Sequence, residues 1–410
     1  MLPYGQNGER GEMHRLVAEI NSDSIVSLAR ELIALPTPVT STGEGHEMEA
    51  ANALARRLRS SCFKVMLQDV MENRPNLIAT LKGKGGGQTL MLNGHLDTVE
   101  AENMVVPPFE GKVDGGKLVG RGAVDMKGAL AAFVVAGEAI QRLGVELKGD
   151  LIISGCVDEE GKGAGGQAMA KSLEGVDGAI VGEATGMKIG VAHKGLTFIT
   201  LHTYGRATHG STPHLGVNAI PGMFKVLNAI DSELPRRLEA KRHKALGAPT
   251  YNVGVIRGGY RPNVVPDRCE IEVDRRMVPG ETVESVLAEM ESVLDVARSE
   301  DASLKVDAQA LDWAKAVPME ISRDEKIVQS IVKCLQASGR QAEVSTVPYW
   351  TDASSFVNLA GIPTVVFGPG DIGQAHSATE SIDVEELVEY SKLIASVALD
   401  FCNSDPGKTE

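Results

Sequence analysis

Apolar and polar positions alternate along the chain with two different periods. Apolar residues recur at helical spacing over residues 25–33 and 44–60, which predicts two amphipathic helices. A segment rich in alanine, valine and phenylalanine follows Gly128 and ends near Leu143, and it predicts a largely buried helix. Short apolar runs bounded by turn residues predict strands at 63–67, 76–81, 89–92, 150–156 and 178–181. This alternation is typical of an α/β sandwich with helices on both faces of the sheet.

The pattern changes after about Lys194. From there the predicted order is β-α-β-β-α-β, which is typical of a ferredoxin-like domain, with strands at 197–204, 251–256, 268–277 and 304–308 and helices at about 216–242 and 283–297. The α/β pattern resumes with helices at about 324–338, 352–359 and 383–401 and strands at 343–347 and 363–367. We therefore expect an α/β sandwich with a mixed sheet, at 1–194 and 311–410, interrupted by a smaller α+β domain at 195–310.

Three remaining segments are predicted to be irregular. Residues 1–22 are polar, lack the apolar core of a signal peptide, and are expected to form a loosely ordered arm. The glycine-rich run 82–87 lies between two predicted strands and is expected to be a hairpin turn, because a phosphate-binding loop would lead into a helix. Residues 113–117 predict a second hairpin turn.

Composition excludes several classes of function. The formal net charge is -14 and there is no basic tract, so nucleic acid is not an expected partner. Apolar residues make up 43% of the chain, yet no apolar run approaches the roughly 20 residues that a membrane span needs. The five cysteines are scattered and form no CxxC pair, which argues against a disulfide framework. We expect a cytoplasmic protein without a membrane partner.

Histidines and carboxylates stand where predicted strands end or predicted helices begin, which is where ligand sites form in open α/β sheets. The candidates are His95, Asp125, Glu160, Glu183 and His376. Two histidines and three carboxylates suit two divalent cations, with zinc as the first choice and cobalt or manganese as alternatives. His95 and Asp97 would lie on one face of extended chain, so the aspartate can take one ring N–H and leave the other nitrogen for a cation. The alternative for this pair is a hydrogen bond at a strand end.

Glu159 and Glu160 are adjacent, so their side chains diverge and need different roles. One of them can coordinate a cation while the other reaches a water molecule as general base. The alternative is a solvated acidic turn, as charge runs usually are. The neighbouring glycine run 161–166 lacks the lysine-serine pair of a phosphate-binding P-loop, which argues against nucleotide binding.

Five motifs occur in a fixed order: His95-x-Asp97, Gly120-Arg121-Gly122 through Asp125-Met126-Lys127-Gly128, Asp158-Glu159-Glu160, Gly182-Glu183 and Ala375-His376-Ser377. Over about residues 24–402 the chain resembles the dinuclear-zinc family of acetylornithine deacetylase, succinyl-diaminopimelate desuccinylase, aminoacylase and glutamate carboxypeptidase. The resemblance implies that His95 and Glu183 hold one metal, that Glu160 and His376 hold the other, and that Asp125 bridges them. It also implies Asp97 as the group that orients His95, Glu159 as general base, and an inserted lid domain that often forms a homodimer.

The same resemblance points to two residues of the inserted domain, His209 and Arg276. His209 would stabilise the oxyanion as an N–H donor, with a turn or interface histidine as the alternative. Arg276 lies on the opposite face of its strand from Ile271 and Val273 and would clamp a substrate carboxylate, unless it forms a surface ion pair. Asn263 is a weaker candidate for a substrate contact.

These expectations describe a metal-dependent amidohydrolase. It would cleave the amide bond of an N-acyl amino acid, in the manner of a deacetylase or desuccinylase, by means of a water molecule between two metals. The near alternative is a carboxypeptidase or dipeptidase that uses the same site on a short peptide. The distant alternative is a non-catalytic metal-binding protein, which would have no need of a base beside its ligands.

Overall fold

The computed structural model describes residues 7–40 and 43–405. Contacts between residues divide the chain into two compact units. The first unit comprises Met1–Ala192, Glu320–Val347 and Thr351–Glu410. The second unit comprises His193–Met319 and Pro348–Trp350. Over these described ranges, no helix combines the length and the apolarity that crossing a bilayer requires.

The two units contain ten α-helices and sixteen strands within the part of the chain that is described. The helices are α1 (Asn7–Glu19), α2 (Ser22–Ile33), α3 (Met48–Ser60), α4 (Lys127–Arg142), α5 (Ala164–Ser172), α6 (Ala219–Glu239), α7 (Val283–Glu300), α8 (Lys326–Ala337), α9 (Ala353–Ala360) and α10 (Val384–Cys402), with 3-10 turns at Pro213–Leu215 and Ile372–Gln374. The strands are β1 (Lys64–Met71), β2 (Arg74–Leu81), β3 (Leu90–His95), β4 (Lys112–Asp114), β5 (Lys117–Val119), β6 (Leu151–Cys156), β7 (Gly178–Val181), β8 (Ile189–His193), β9 (Gly195–Tyr204), β10 (Thr250–Gly258), β11 (Arg268–Met277), β12 (Lys305–Ala316), β13 (Met319–Glu320), β14 (Val344–Val347), β15 (Thr364–Val366) and β16 (Ser381–Asp383).

The first unit is built on a mixed sheet with the strand order β1-β2-β6-β3-β7-β15-β8-β13 and with β14 beside β8. Its four central strands, β6, β3, β7 and β15, run parallel. All residues of β3, β6 and β7 are buried, and since successive side chains leave on opposite faces, both faces of the sheet are covered. This confirms the predicted α/β sandwich with a mixed sheet.

Two sequence-based predictions for the first unit are wrong. Within residues 1–22, the segment Asn7–Glu19 is helical, and Met13, Leu16 and Ile20 join the hydrophobic core; residues 1–6 lie outside the described part. The run 82–87 is not a hairpin turn, because β6 lies between β2 and β3 in the sheet. The predicted turn at 113–117 is confirmed, as β4 and β5 pair antiparallel with Asp114 opposite Lys117.

The second unit is a four-stranded antiparallel sheet in the order β10-β11-β9-β12, with α6 and α7 contributing to one hydrophobic core. Chain order and strand order together are those of a ferredoxin-like domain. Along β11 every second residue is buried, from Cys269 to Met277, which identifies the face that the helices cover. The unit ends at Met319 instead of residue 310, because β12 stays paired with β9 as far as Ala316.

Candidate metal centre

The candidate residues of the first unit follow the central parallel strands. His95 ends β3, Glu159 and Glu160 follow β6, and Glu183 follows β7. His376 lies in the loop after β15. Because the carboxyl ends of parallel strands meet at one edge of a sheet, these side chains converge, as ligands do in open α/β sheets. Asp125 joins them from the turn that precedes α4.

His95 is buried and contacts three acidic residues. Its Nε2 atom lies 2.9 Å from Asp125 Oδ1 and 3.4 Å from Glu183 Oε1. Its Nδ1 atom lies 3.0 Å from the main-chain carbonyl oxygen of Asp97, whereas the Asp97 carboxylate is 3.8 Å away. That carboxylate instead accepts a hydrogen bond of 2.9 Å from the main-chain N–H of Glu160. The shorter contact to the His95 ring is therefore made by the Asp97 main chain, whereas the other carboxylate oxygen, Oδ1, lies 3.8 Å from the ring and has no hydrogen-bond partner among the described residues.

Asp125 lies between the two histidines. Its Oδ1 atom faces His95, and its Oδ2 atom is 3.1 Å from His376 Nε2. Burial alone would raise the pKa of Asp125, but hydrogen bonds from His376 and His95 outweigh it and hold the pKa well below its usual range. One carboxylate thus presents one oxygen to each histidine, which is the arrangement a bridging ligand requires.

His376 adds the last of the converging contacts. Its Nε2 atom lies 3.0 Å from Glu160 Oε1. Hydrogen bonds to Asp125 and Glu160 raise the pKa of His376 to about 10. Burial raises the pKa of Glu183 to about 7, with the Asp125 charge adding to it. The site therefore strongly favours positive charge at the histidines and disfavours further negative charge at the glutamates.

The donor set fits divalent cations. One possible ligand atom from each of His95, Asp125 and Glu160 lies within 4.8 Å of the other two, and the same holds for His95, Glu159 and Glu183. Imidazole nitrogen and carboxylate oxygen are the ligands that zinc accepts. The two groups share His95, so the structure brings together all five predicted ligands and Glu159.

Glu159 has the most perturbed carboxyl group beside these ligands. Burial, and then the nearby charges of Glu183 and Glu160, raise the pKa of Glu159 well above its usual range. A raised carboxyl pKa makes a glutamate a stronger base when it is ionised, which suits proton transfer near neutral pH. Asp352 is also buried, and burial raises its pKa to about 7.

A hydrogen-bond network with Arg121 and Glu380 buried at its centre holds the turn that carries Asp125, and sequence reasoning missed it. Glu380 Oε1 accepts hydrogen bonds from the main-chain N–H groups of Val124 and Asp125, at 3.0 and 3.2 Å. Its Oε2 atom accepts from Arg121 Nη1 at 2.7 Å. Arg121 also donates to Asn103 Oδ1 at 2.9 Å, and Asn103 donates to the His376 carbonyl at 3.0 Å. The network thus fixes the backbone of two candidate ligands.

A second buried network holds the acidic turn. Arg74 forms ion pairs with Glu47 at 2.5 Å and with Asp158 at 3.1 Å, and all three side chains are almost fully buried. Asp158 has a φ of 64°, a left-handed conformation that few non-glycine residues adopt. Since Asp158 precedes Glu159 and Glu160, this anchored bend determines how the two glutamates diverge. No signal in the sequence marked Arg74, because the predicted strand began at residue 76 whereas β2 begins at Arg74.

The predicted residues of the second unit are placed within that unit. His209 is exposed, and its Nδ1 atom lies 2.7 Å from Ser211 Oγ. The next residue, Gly210, donates its main-chain N–H to the Asn263 carbonyl at 2.8 Å, so the His209 and Asn263 segments adjoin. Arg276 donates to Asp274 Oδ2 at 3.0 and 3.2 Å, which is the ion pair considered as its alternative role.

Comparison with known proteins gives the same assignment as the motifs. The sequence profile of Peptidase family M20/M25/M40 matches residues 91–400. The chain is 32% identical to an acetylornithine deacetylase of Proteus mirabilis, over 95% of this chain and 100% of that protein. It is 29% identical to an N-formyl-4-amino-5-aminomethyl-2-methylpyrimidine deformylase of Halalkalibacterium halodurans, over 93% and 95% of the two chains.

A solved structure extends the likeness to the fold. The Bacillus subtilis YxeP protein, described as a dinuclear metal binding peptidase of the M20 family, superposes with a TM-score of 0.69 at 18% identity, over 93% of this chain and 99% of that one. The resemblance inferred from the five motifs is confirmed by these matches. Because the family profile spans most of the chain and the deacetylase aligns over nearly all of it, this protein belongs to peptidase family M20/M25/M40.

Proposed function

We propose that this chain hydrolyses the amide bond of N-acyl amino acids with two divalent cations at the candidate metal centre. As a member of its family the chain is an amide-bond hydrolase. One observation carries the proposal: Asp125 presents one oxygen to each of two histidines, while a carboxyl oxygen of Glu159 lies within 4.8 Å of ligand atoms of His95 and Glu183. A carboxylate between two histidines, with a second carboxyl group nearby as general base, suits a hydrolytic site, whereas a protein that only stores metal needs no base.

The division of the ligands between two cations follows the family resemblance, because the two groups of converging side chains share His95. We assign His95 and Glu183 to one cation, Glu160 and His376 to the other, and Asp125 to both. The donor set suits zinc, and cobalt or manganese are alternatives with the same ligands. When bound, the cations would polarise the acyl carbonyl and lower the pKa of a water molecule.

Glu159 carries the proton in this proposal. Its carboxylate takes a proton from the attacking water and returns that proton to the nitrogen of the departing amine, so the group ends each cycle unchanged. General acid-base catalysis of this kind contributes roughly 10²–10⁴-fold to rate.

Residues of the second unit define the substrate class. We assign Arg276 to the substrate carboxylate, His209 to the oxyanion and Asn263 to a further substrate contact. The relatives are named for the removal of acetyl and formyl groups from nitrogen, which favours an N-acyl substrate over a peptide. A carboxypeptidase or dipeptidase activity at the same site is the second candidate, since solved relatives of this fold include a dipeptidase and a carboxypeptidase.

We further propose that the chain forms a homodimer through the second unit. Strand β10 is at the edge of its sheet and carries an exposed Ile256, with Phe224 and Tyr260 also exposed on the same unit. Unpaired edge strands with apolar side chains readily add a strand from another chain. The expected cytoplasmic location and the absence of nucleic-acid and membrane partners stay predictions.

A substrate panel tests the proposal. Purified chain loaded with zinc is incubated with N-acetyl, N-formyl and N-succinyl amino acids and with dipeptides, and amine release is measured. We expect turnover of at least one N-acyl amino acid, and loss of it after chelation. Glu159→Gln should keep the metal content, measured by atomic emission, and lose roughly 10²–10⁴-fold of the rate. Undiminished turnover by Glu159→Gln would refute the mechanism, and turnover of dipeptides alone would replace the substrate class.

A further inference from the structure

Strand β11 carries a buried arginine directly before Arg276. Arg275 occupies the helix-covered face of the strand, in line with Ile271 and Val273, and its side chain is 0% exposed. Its Nη2 atom lies 2.6 Å from Glu281 Oε1 and 3.2 Å from Glu289 Oε2. Lys241 completes the group, at 3.1 Å from Glu281 and 2.8 Å from Glu289. Arg275, Glu281 and Glu289 are thus almost fully buried beneath the sheet, and Lys241, whose side chain is 35% exposed, closes the group from the outside.

This ionic group is attached to the main chain at the end of β11. Arg275 Nη1 donates to the carbonyl oxygen of Arg276. Glu281 Oε2 accepts a hydrogen bond of 3.1 Å from the main-chain N–H of Val278. The backbone that carries the Arg276 side chain is therefore held at both ends of the segment 276–278, from the face opposite to its guanidinium.

A buried ionic group of this kind is not explained by stability alone. Replacing a buried ion network by apolar residues of similar volume is often neutral or stabilising. Along β11 the neighbours of Arg275 on its face, Val273 and Met277, are apolar, and its partner on β9 is the uncharged Thr197, so the position does not itself require a charged side chain. What the charged group supplies, and an apolar one would not, is the pair of directed contacts to residues 276 and 278.

We propose that Arg275 is a positioning residue that fixes Arg276 for recognition of a substrate carboxylate. The inference rests on the proposed function, because it takes Arg276 as the carboxylate-binding group. It adds that selectivity for a substrate carboxylate depends on the contacts by which Arg275 and Glu281 hold the backbone of residues 276–278. A bidentate guanidinium contact demands accurate placement, and a displacement of about 1 Å can cost on the order of 10²-fold in rate.

The test compares a carboxylate with its amide. The N-acyl amino acid that is turned over fastest in the panel and its α-carboxamide serve as the two substrates, and the ratio of their kcat/KM values is the readout. Wild-type protein should prefer the carboxylate, and Arg276→Met should abolish the preference. Arg275→Met should lower the ratio roughly tenfold to hundredfold, mainly through KM for the carboxylate. When Arg275→Met is added to Arg276→Met, the ratio should stay at the value of Arg276→Met alone.

Two further variants separate positioning from stability. Lys241→Met removes a member of the same network that does not touch the 276–278 backbone, so it should lower the melting temperature and leave the ratio at the wild-type value. Arg275→Lys keeps a buried cation but lacks the forked guanidinium, so it should stay folded and still show a lowered ratio. A wild-type ratio in both Arg275 variants, or in Arg275→Lys if Arg275→Met does not fold, overturns the inference. A wild-type enzyme that hydrolyses N-acyl amino acids without preferring the carboxylate overturns both this inference and the role of Arg276, and leaves the metal-centre proposal intact.

Discussion

The Arg121–Glu380 contact offers a quantitative test of how the turn of Asp125 is held. Glu380→Gln keeps the shape of the side chain and one oxygen, which can still accept from the N–H groups of Val124 and Asp125. The other oxygen becomes an amide that faces the Arg121 guanidinium, where donor meets donor. Both original side chains are buried, at 0% and 1% exposure, so solvent cannot replace the lost partner.

The magnitude follows from what Arg121 retains. Breaking a buried ion pair by removing one partner costs about 3–5 kcal/mol. Arg121 keeps its hydrogen bonds to the Glu100 carbonyl and to Asn103. Burial and the nearby Asp125 charge raise the pKa of Glu380 in spite of Arg121, so a neutral amide recovers part of the desolvation cost. Both effects favour the lower limit, about 3 kcal/mol, or about 6 °C in melting temperature at roughly 2 °C per kcal/mol.

The assay measures thermal unfolding of metal-free protein by calorimetry and zinc affinity by competition with a chelating dye. Supporting contacts around metal ligands are worth about 10–100-fold in metal affinity. Because the amide can still accept from the main chain but no longer pairs with Arg121, we expect about a tenfold loss of zinc affinity. Glu343→Gln is the matched control: its pair with Lys188 is about half exposed, and such pairs contribute about 1 kcal/mol at most. If Glu380→Gln unfolds within 1 °C of wild type and binds zinc equally well, the network does not hold the turn.

Two further predictions concern pH and assembly. Burial raises the pKa of Glu183 and of Asp352 to about 7, so between pH 5 and 7 the metal-free folded state holds protons that the unfolded chain has lost. The stability of the metal-free protein should therefore fall as pH rises from 5 to 7. A melting temperature that increases over this range after chelation would contradict this expectation. Ile256→Lys, at the exposed edge of β10, should convert a dimer into a monomer in sedimentation experiments. Met66→Lys, on the edge strand β1, is the control and should leave the dimer intact. A dimer that survives Ile256→Lys would place the interface elsewhere.

The residues that converge on the metal centre could be predicted because they follow from local pattern. Apolar runs identified β3, β6, β7 and β15, and each candidate ligand on a strand end was read from the residue that follows the run. The alternation of β11 likewise predicted that Arg276 and Arg275 lie on opposite faces, and the structure has them so. Periods of two and 3.6 residues are visible in a single sequence, so these inferences needed no knowledge of the fold.

Contacts between distant parts of the chain could not be predicted in this way. Glu380 lies 259 residues from Arg121, and nothing local marks it as a partner. The run 82–87 has every local feature of a hairpin turn, yet which strand lies beside β2 is decided by the whole sheet. Helix α1 has a weak apolar stripe, and contacts with α10 in the core provide its stability. For Asp97, a contact between its carboxylate and His95 was expected, whereas the shorter contact is made by its main-chain carbonyl oxygen. The direction of a main-chain carbonyl depends on the turn, which the sequence pattern does not specify.

The candidate metal centre brings together more carboxyl groups than basic groups. Asp125, Glu160, Glu183, Glu159 and Asp97 crowd around two histidines, and burial raises the pKa of Asp97 to about 8 and that of Glu183 to about 7. A fold that encloses so many carboxyl groups must neutralise them with protons or with cations. Divalent cations do so without occupying the carboxyl oxygens with hydrogen, and in the proposed mechanism Glu159 then accepts a proton from water. We therefore expect cation binding to release protons and to grow stronger as pH rises.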